Sequence, residues 1–99
     1  MPGPLNISFA NSAVSDLEDI LEFYKEQKIP HVGEKLVGEI LKNIDLLSMQ
    51  PDMGRIVPEF DLKYLRELIR PPFRIVYLRN LNRIRIVRIW RSERMLMMP

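Results

Sequence analysis

The 99 residues of this chain predict an α+β fold, a helical hairpin packed on one face of a mostly antiparallel sheet, in the order β-α-α-β-β-β. Three observations lead there. Apolar residues recur at spacings of three and four from Ala13 to Leu47, the period of an α-helix. The period then changes to two between Leu62 and Trp90, the alternation of a half-buried strand. The links between those alternating runs are so short that consecutive strands must pair antiparallel.

The totals fit one globular domain spanning residues 1–99. Apolar residues make up 46% and charged residues 28%, the balance of an ordinary folded chain. A chain of this length buries roughly 60–65% of its extended surface, so its core is adequate but small. There is no cysteine, which excludes disulfides and thiolate metal sites and fits a reducing cytosol. With one histidine besides, no metal constellation is expected, and no cofactor. The start, "MPGPLNISFANS", lacks the charged and long apolar regions of a signal peptide, and no run is long enough to span a membrane. A cytoplasmic protein is expected.

"LNISF" alternates and ends at "ANS", which predicts a short strand and then a helix start, with Asn11 or Ser12 as N-cap. Val14, Leu17, Leu21 and Tyr24 then form the apolar stripe of an amphipathic helix, with Ala13 and Ile20 beside it. Pro30 begins a second helix, where its missing N–H costs nothing. That helix carries Leu36, Val37, Ile40, Leu41, Ile44 and Leu47, and stops near "MQPDMG". The short link "KIPH" makes the two an antiparallel hairpin, and Gly33 and Gly38 offer places for close approach. Three strands are expected at 62–70, 73–79 and 83–90, joined by the turns "RPP" and "RNLN". Internal repeats, linkers and low-complexity tracts are absent from the sequence.

Charge is unevenly shared. Residues 1–50 hold eight acids and four bases, whereas residues 51–99 hold five acids and eleven bases. Residues 70–94 alone contain eight arginines against a single acid, Glu93. Strict alternation puts Phe73, Ile75 and Tyr77 on one face, with Arg74, Val76 and Leu78 on the other. The same rule groups Ile84, Ile86, Arg88 and Trp90 against Arg83, Arg85, Val87, Ile89 and Arg91. The sheet face away from the helices should therefore be apolar at its middle and basic around it, and should want an anionic partner. Arg70, Arg74, Arg83, Arg85, Arg88, Arg91 and Arg94 are the candidates for that anion-binding surface. The bland alternative is that they solubilise the strands and pair with acids of the helices.

In this order and at these distances, the segments "ISFANSAVSDLEDILEFY", "PDMGR", "LRELIRPPFRIVYLR" and "RIRIVRIWRSERML" make the chain resemble the RelE/ParE superfamily of bacterial type II toxins. The "PDMGR" loop, the "FRIVY" strand and the closing "VRIWRSER" strand are most similar to ParE-like members. The resemblance implies a toxin neutralised by an antitoxin encoded beside it, the pair usually repressing its own operon by binding operator DNA through the antitoxin. ParE-type members inhibit DNA gyrase; RelE-type members cut messenger RNA on the ribosome. An inactive relative, acting only within the antitoxin complex, is a third possibility.

RNA cleavage needs a general base, a general acid and a cation at the reacting phosphate. By resemblance, Arg74 stands where RelE-like nucleases place a phosphate-stabilising arginine, and Arg91 or Arg94 could add a second cation. The proton-transfer groups are harder to find. His31 lies in the link between helices, far from the last strand in this topology. No histidine or tyrosine follows Trp90. Tyr64 and Tyr77 read as packed strand residues, and Glu67 as a carboxylate paired with a neighbouring arginine. Gyrase inhibition is accordingly the favoured expectation, with Arg74 expected to matter more than His31. For the antitoxin, Leu17, Leu21, Val76, Leu78, Met95 and Leu96 are the expected contacts, the methionine-rich tail offering an adaptable docking surface.

Overall fold

The computed structural model describes residues 3–91. Arg94, Met95 and Leu96 lie outside the described residues. The elements run β1 (Asn6–Phe9), α1 (Asn11–Glu26), α2 (Pro30–Leu46), β2 (Arg55–Ile56), β3 (Leu65–Arg70), β4 (Phe73–Arg79) and β5 (Arg83–Arg91). They form a five-stranded sheet in the order β1-β5-β4-β3-β2, with the two helices packed on it. The expected α+β hairpin-on-sheet arrangement is present. What alternation did not show is β2, a two-residue strand inside "PDMGRIVPEFD" that pairs antiparallel with β3. Among the described residues, the only parallel pair joins β1 to β5, Asn6 opposite Arg83 and Phe9 opposite Ile86.

The start of α1 differs from expectation for a traceable reason. Ala10 is the N-cap, without a side-chain cap, and Asn11 and Ser12 already lie inside the helix. β1 ends at Phe9, so among the described residues the outer edge of β5 has no strand partner beyond Ile86. Buried edge groups need partners, and α1 supplies them. Ser12 Oγ donates to the Val87 carbonyl at 2.6 Å, and Asp16 accepts the Ile89 N–H at 2.8 Å. Ser12 is thus spent on the sheet rather than on its own helix. The buried spine of α1 is also turned from the expected stripe. Ala13 and Ile20 are buried, Leu17 and Tyr24 pack against them, and Val14 and Leu21 are exposed.

Pro30 sits in the first turn of α2, as its missing N–H dictates. Gly33 is where the helices touch, since a Cβ there would stand 3.0 Å from Tyr24 Cβ. Gly38, by contrast, faces open space and has no such role. Ile40, Ile44 and Leu47 face the sheet, where Leu68, Phe73, Ile75, Tyr77, Ile84, Ile86 and Ile89 meet them.

That last set breaks strict alternation. A bulge between Val76 and Tyr77 pairs Val76 with Arg88 but Tyr77 with Ile86, leaving Val87 unmatched on β5. The extra residue reverses the parity of the strand. Ile89 therefore enters the core, while Arg88 and Trp90 leave the face shared by Ile84 and Ile86.

The "PDMG" loop is held by one phenol. Tyr77 Oη donates to the Pro51 carbonyl at 2.8 Å and accepts the Gly54 N–H at 2.9 Å. Any Cβ at position 54 would fall 2.6 Å from both Tyr77 Oη and the Glu67 carbonyl, so only glycine fits. Burial pushes the Tyr77 phenol above its ordinary pKa, partly offset by the Gly54 N–H bond.

Candidate functional site

The basic strands do not present an open basic face. Arg74 is only 6% exposed, and its neighbours on that side of the sheet, Val76 and Glu67, are buried too. Glu67 is the hub. One of its oxygens accepts Arg74 Nε, and the other accepts Arg55 Nε at 2.6 Å. Arg74 Nη2 then reaches both oxygens of Glu59 at 3.0 Å. The carboxyl of Glu59 lies below its ordinary pKa range, through its own backbone N–H and then through Arg74. The expectation that Glu67 pairs with an arginine is met. The expectation that Arg74 offers a guanidinium on an uncovered surface is not, because two carboxylates already engage it.

Most of the other arginines are engaged as well. Arg88 forms a two-point pair with Asp16 at 2.9 and 3.0 Å, and its guanidinium lies 4.5 Å from the Trp90 ring. Arg79 pairs with Asp52 at 2.8 Å, and Arg70 donates to Asn43 Oδ1 at 2.7 Å. Arg91 lies over the Phe73 ring at 5.5 Å and approaches Tyr24 Oη at 3.4 Å. Among the described members of the expected anion-binding set, only Arg83 and Arg85 are exposed and without an ion pair. They stand two residues apart beside Asn6 and Ser8 of β1, with Arg85 Nη1 3.4 Å from Ser8 Oγ.

A groove of about 490 Å³ opens between α1 and the free edge of β5. Ile20, Phe23 and Tyr24 wall one side; Phe73, Trp90 and Arg91 wall the other. Phe23 is half exposed and meets Tyr24 edge-on, ring centres 5.0 Å apart. An apolar groove with aromatic walls and a few charged groups at its lip suits an amphipathic peptide better than a small polar molecule.

Several predicted contacts are not brought together. Leu17 is partly buried under α1, and Leu21 is exposed on it, but neither lines the groove. Val76 and Leu78 belong to the far side of the sheet, where Val76 is buried and Leu78 half-buried beside Arg85. These four residues do not make one surface. His31 is exposed, and it lies in the first turn of α2 rather than in the link between the helices that the sequence suggests. Tyr64 is exposed rather than packed, whereas Tyr77 is fully buried. Phe23, Asp16 and Glu59 were not singled out by sequence reasoning. Nothing in a row of acids on one helix face separates Asp16 from Asp19 until the bulge positions Arg88 and Ile89 beside it.

A helical hairpin packed on a five-stranded sheet is the arrangement this chain shares with solved chains of toxin–antitoxin systems. The chromosomal ParDE TA system from P. aeruginosa superposes with a TM-score of 0.72 at 25% identity, covering 88% of this chain and 95% of that one. The toxin–antitoxin complex RelBE2 from Mycobacterium tuberculosis shares the fold, with a TM-score of 0.65 at 18% identity over 90% of this chain and 99% of that one. No curated protein matches the chain in sequence. Residues 7–96 match the model for the ParE toxin of type II toxin–antitoxin systems, parDE, and the chain belongs to that family.

Proposed function

We propose that this ParE-family toxin acts by binding DNA gyrase, and that an antitoxin encoded beside it neutralises it by filling the α1–β5 groove. The observation that carries the gyrase reading is the engagement of the nuclease candidates. Glu67, the carboxylate best placed on the strands, is buried between Arg55 and Arg74 and has both oxygens occupied. A general base must reach the proton it removes, and this one faces two guanidinium groups instead. His31 is exposed in the first turn of α2, whereas Arg74 is buried within β4. Arginine, with a pKa above about 12, holds a phosphate well but moves protons poorly.

Arg83 and Arg85, exposed on β5 and without an ion pair, are the residues we assign to target contact. The antitoxin segment should be amphipathic and acidic, with an apolar side chain between Phe23 and Trp90 and a carboxylate near Arg91. The assembled pair should bind its operator DNA through the antitoxin. Induced cells test the reading. DNA-damage signalling with intact messenger RNA supports it, and co-expression of the neighbouring reading frame should restore growth. Cleaved messages without damage signalling would instead favour a ribosome-dependent ribonuclease.

A further inference from the structure

We propose that a small pocket between α2 and the β3–β4 turn binds a short apolar monocarboxylate through Arg70. It lies on the helix side of the sheet, apart from the arginines of the outer face. Arg66, Arg74, Arg79 and Arg88 each pair with a carboxylate. Arg70, half-buried at the end of β3, does not. It donates Nε to Asn43 Oδ1 at 2.7 Å and Nη1 to the Ile69 carbonyl at 2.8 Å, and both acceptors are neutral. Among the described residues no carboxylate pairs with it, so a half-buried charge stands without a counter-ion, which is costly. A guanidinium has five N–H donors, and donors therefore remain for a ligand.

Its direction is fixed before any ligand arrives. Asn43 Nδ2 donates to the Glu39 carbonyl, one turn back along α2, at 2.9 Å. That bond turns the amide oxygen toward Arg70. A guanidinium held in advance loses less freedom on pairing, which is the advantage of preorganisation.

The pocket beside it measures about 150 Å³. Leu36 and Ile40 of α2 line it together with Pro71, Pro72 and Phe73. Its volume equals that of roughly five waters, enough for a short branched chain. The lining also selects the anion. Apolar walls would leave the outer oxygens of a phosphate unpaired, and the exposed Glu39, which also lines the pocket, repels a second negative charge. A planar monoanion matches the guanidinium fork with two parallel hydrogen bonds, while its hydrocarbon end covers Leu36 and the prolines. The ligand is thus a branched monocarboxylate, either a free acid or the C-terminus of a peptide that ends in an apolar residue.

The test titrates the isotope-labelled full chain and follows its amide signals by NMR. Isovalerate stands for the free acid and N-acetyl-leucine for the peptide end, with isovaleramide as neutral isostere and methyl phosphate as dianion. At least one of the two acids should move the signals of Leu36, Ile40 and Phe73 saturably, and the amide and the phosphate should not. Tighter binding of isovalerate assigns a free acid; tighter binding of N-acetyl-leucine assigns a peptide C-terminus. Arg70→Gln should weaken binding at least about tenfold, the loss expected for a charged hydrogen-bonded pair. Leu36→Trp, which fills the pocket and keeps Arg70, should abolish binding even where Arg70→Gln disturbs the fold. Lys42→Gln, an equal charge change on the exposed side of α2, should bind as wild type. No saturable shift with either acid, an equal response to isovaleramide or methyl phosphate, or equal losses in Lys42→Gln and Arg70→Gln would overturn the proposal. Undiminished binding in folded Leu36→Trp would do the same.

Discussion

The two faces of the sheet solve the same packing problem with different chemistry. Toward the helices, Phe73, Ile75, Tyr77, Ile84, Ile86 and Ile89 close against Ile40, Ile44 and Leu47, a contact held by apolar burial. Away from the helices, Glu67, Arg74 and Val76 are almost equally buried, yet two of the three are charged. On the first face a shaved methyl group should cost little, since it leaves no charge unpaired. On the second, each charge remains soluble in the interior only through its partner, so loss of one member strands another. The difference explains why arginine enrichment here does not mean an open basic surface.

Breaking the ionic face should have the largest effect. Glu67→Ala leaves Arg74 buried without its inner partner and should cost about 3–5 kcal/mol in chemical denaturation. Replacing both partners, as Glu67→Leu with Arg74→Met, should return most of that loss, because the uncompensated charge is gone. If the double variant is as unstable as the single one, the ionic face is held by shape rather than by pairing.

Tyr77→Phe probes the boundary between the two faces. It strands the Gly54 N–H and the Pro51 carbonyl, at a cost of about 1–3 kcal/mol. It should also change the alkaline behaviour. The folded-state pKa of Tyr77 is raised above its unfolded value of about 10. The corresponding stability is therefore present below about pH 10 and lost as pH rises through the folded value. Denaturation curves in alkaline buffer should show that loss in wild type and not in the phenylalanine variant.

The apolar face yields less to a minimal change. Ile75→Val, at a fully buried position, should cost about 0.5–1.5 kcal/mol. The smallest effect belongs to the exposed pair: Arg83→Ala with Arg85→Ala should leave stability within about 0.5 kcal/mol of wild type. A large loss there would mean that the two side chains support the sheet and are not free for a partner.

The legibility of the sequence divides along the same line. Helical spacing in 13–47 and alternation in 73–79 place the hairpin and β4 almost to the residue, because apolar burial leaves a periodic trace. In β5 the trace fails at Val87, where one extra residue reverses the faces, and no residue type in "RIRIVRIW" announces it. Gly54 in "PDMGR" is visible as a turn signal, but its reason, a phenol arriving from position 77, is not local. The arginines mislead most. Their partners Asp16, Asp52, Glu59 and Asn43 come from α1, α2 and the loops, and only the folded chain brings them within reach. Of the candidate site, the family motifs and Arg83 and Arg85 could be read in advance, while the groove walled by Phe23 and Trp90 could not.

The central claim, a toxin that binds rather than cuts, is tested most directly with purified protein in two parallel assays. One follows supercoiling by DNA gyrase, the other messenger RNA on translating ribosomes. The account predicts inhibited supercoiling that Arg83→Ala with Arg85→Ala weakens and His31→Ala does not, with the message intact. Specific cuts in ribosome-bound message, with supercoiling untouched, would contradict it.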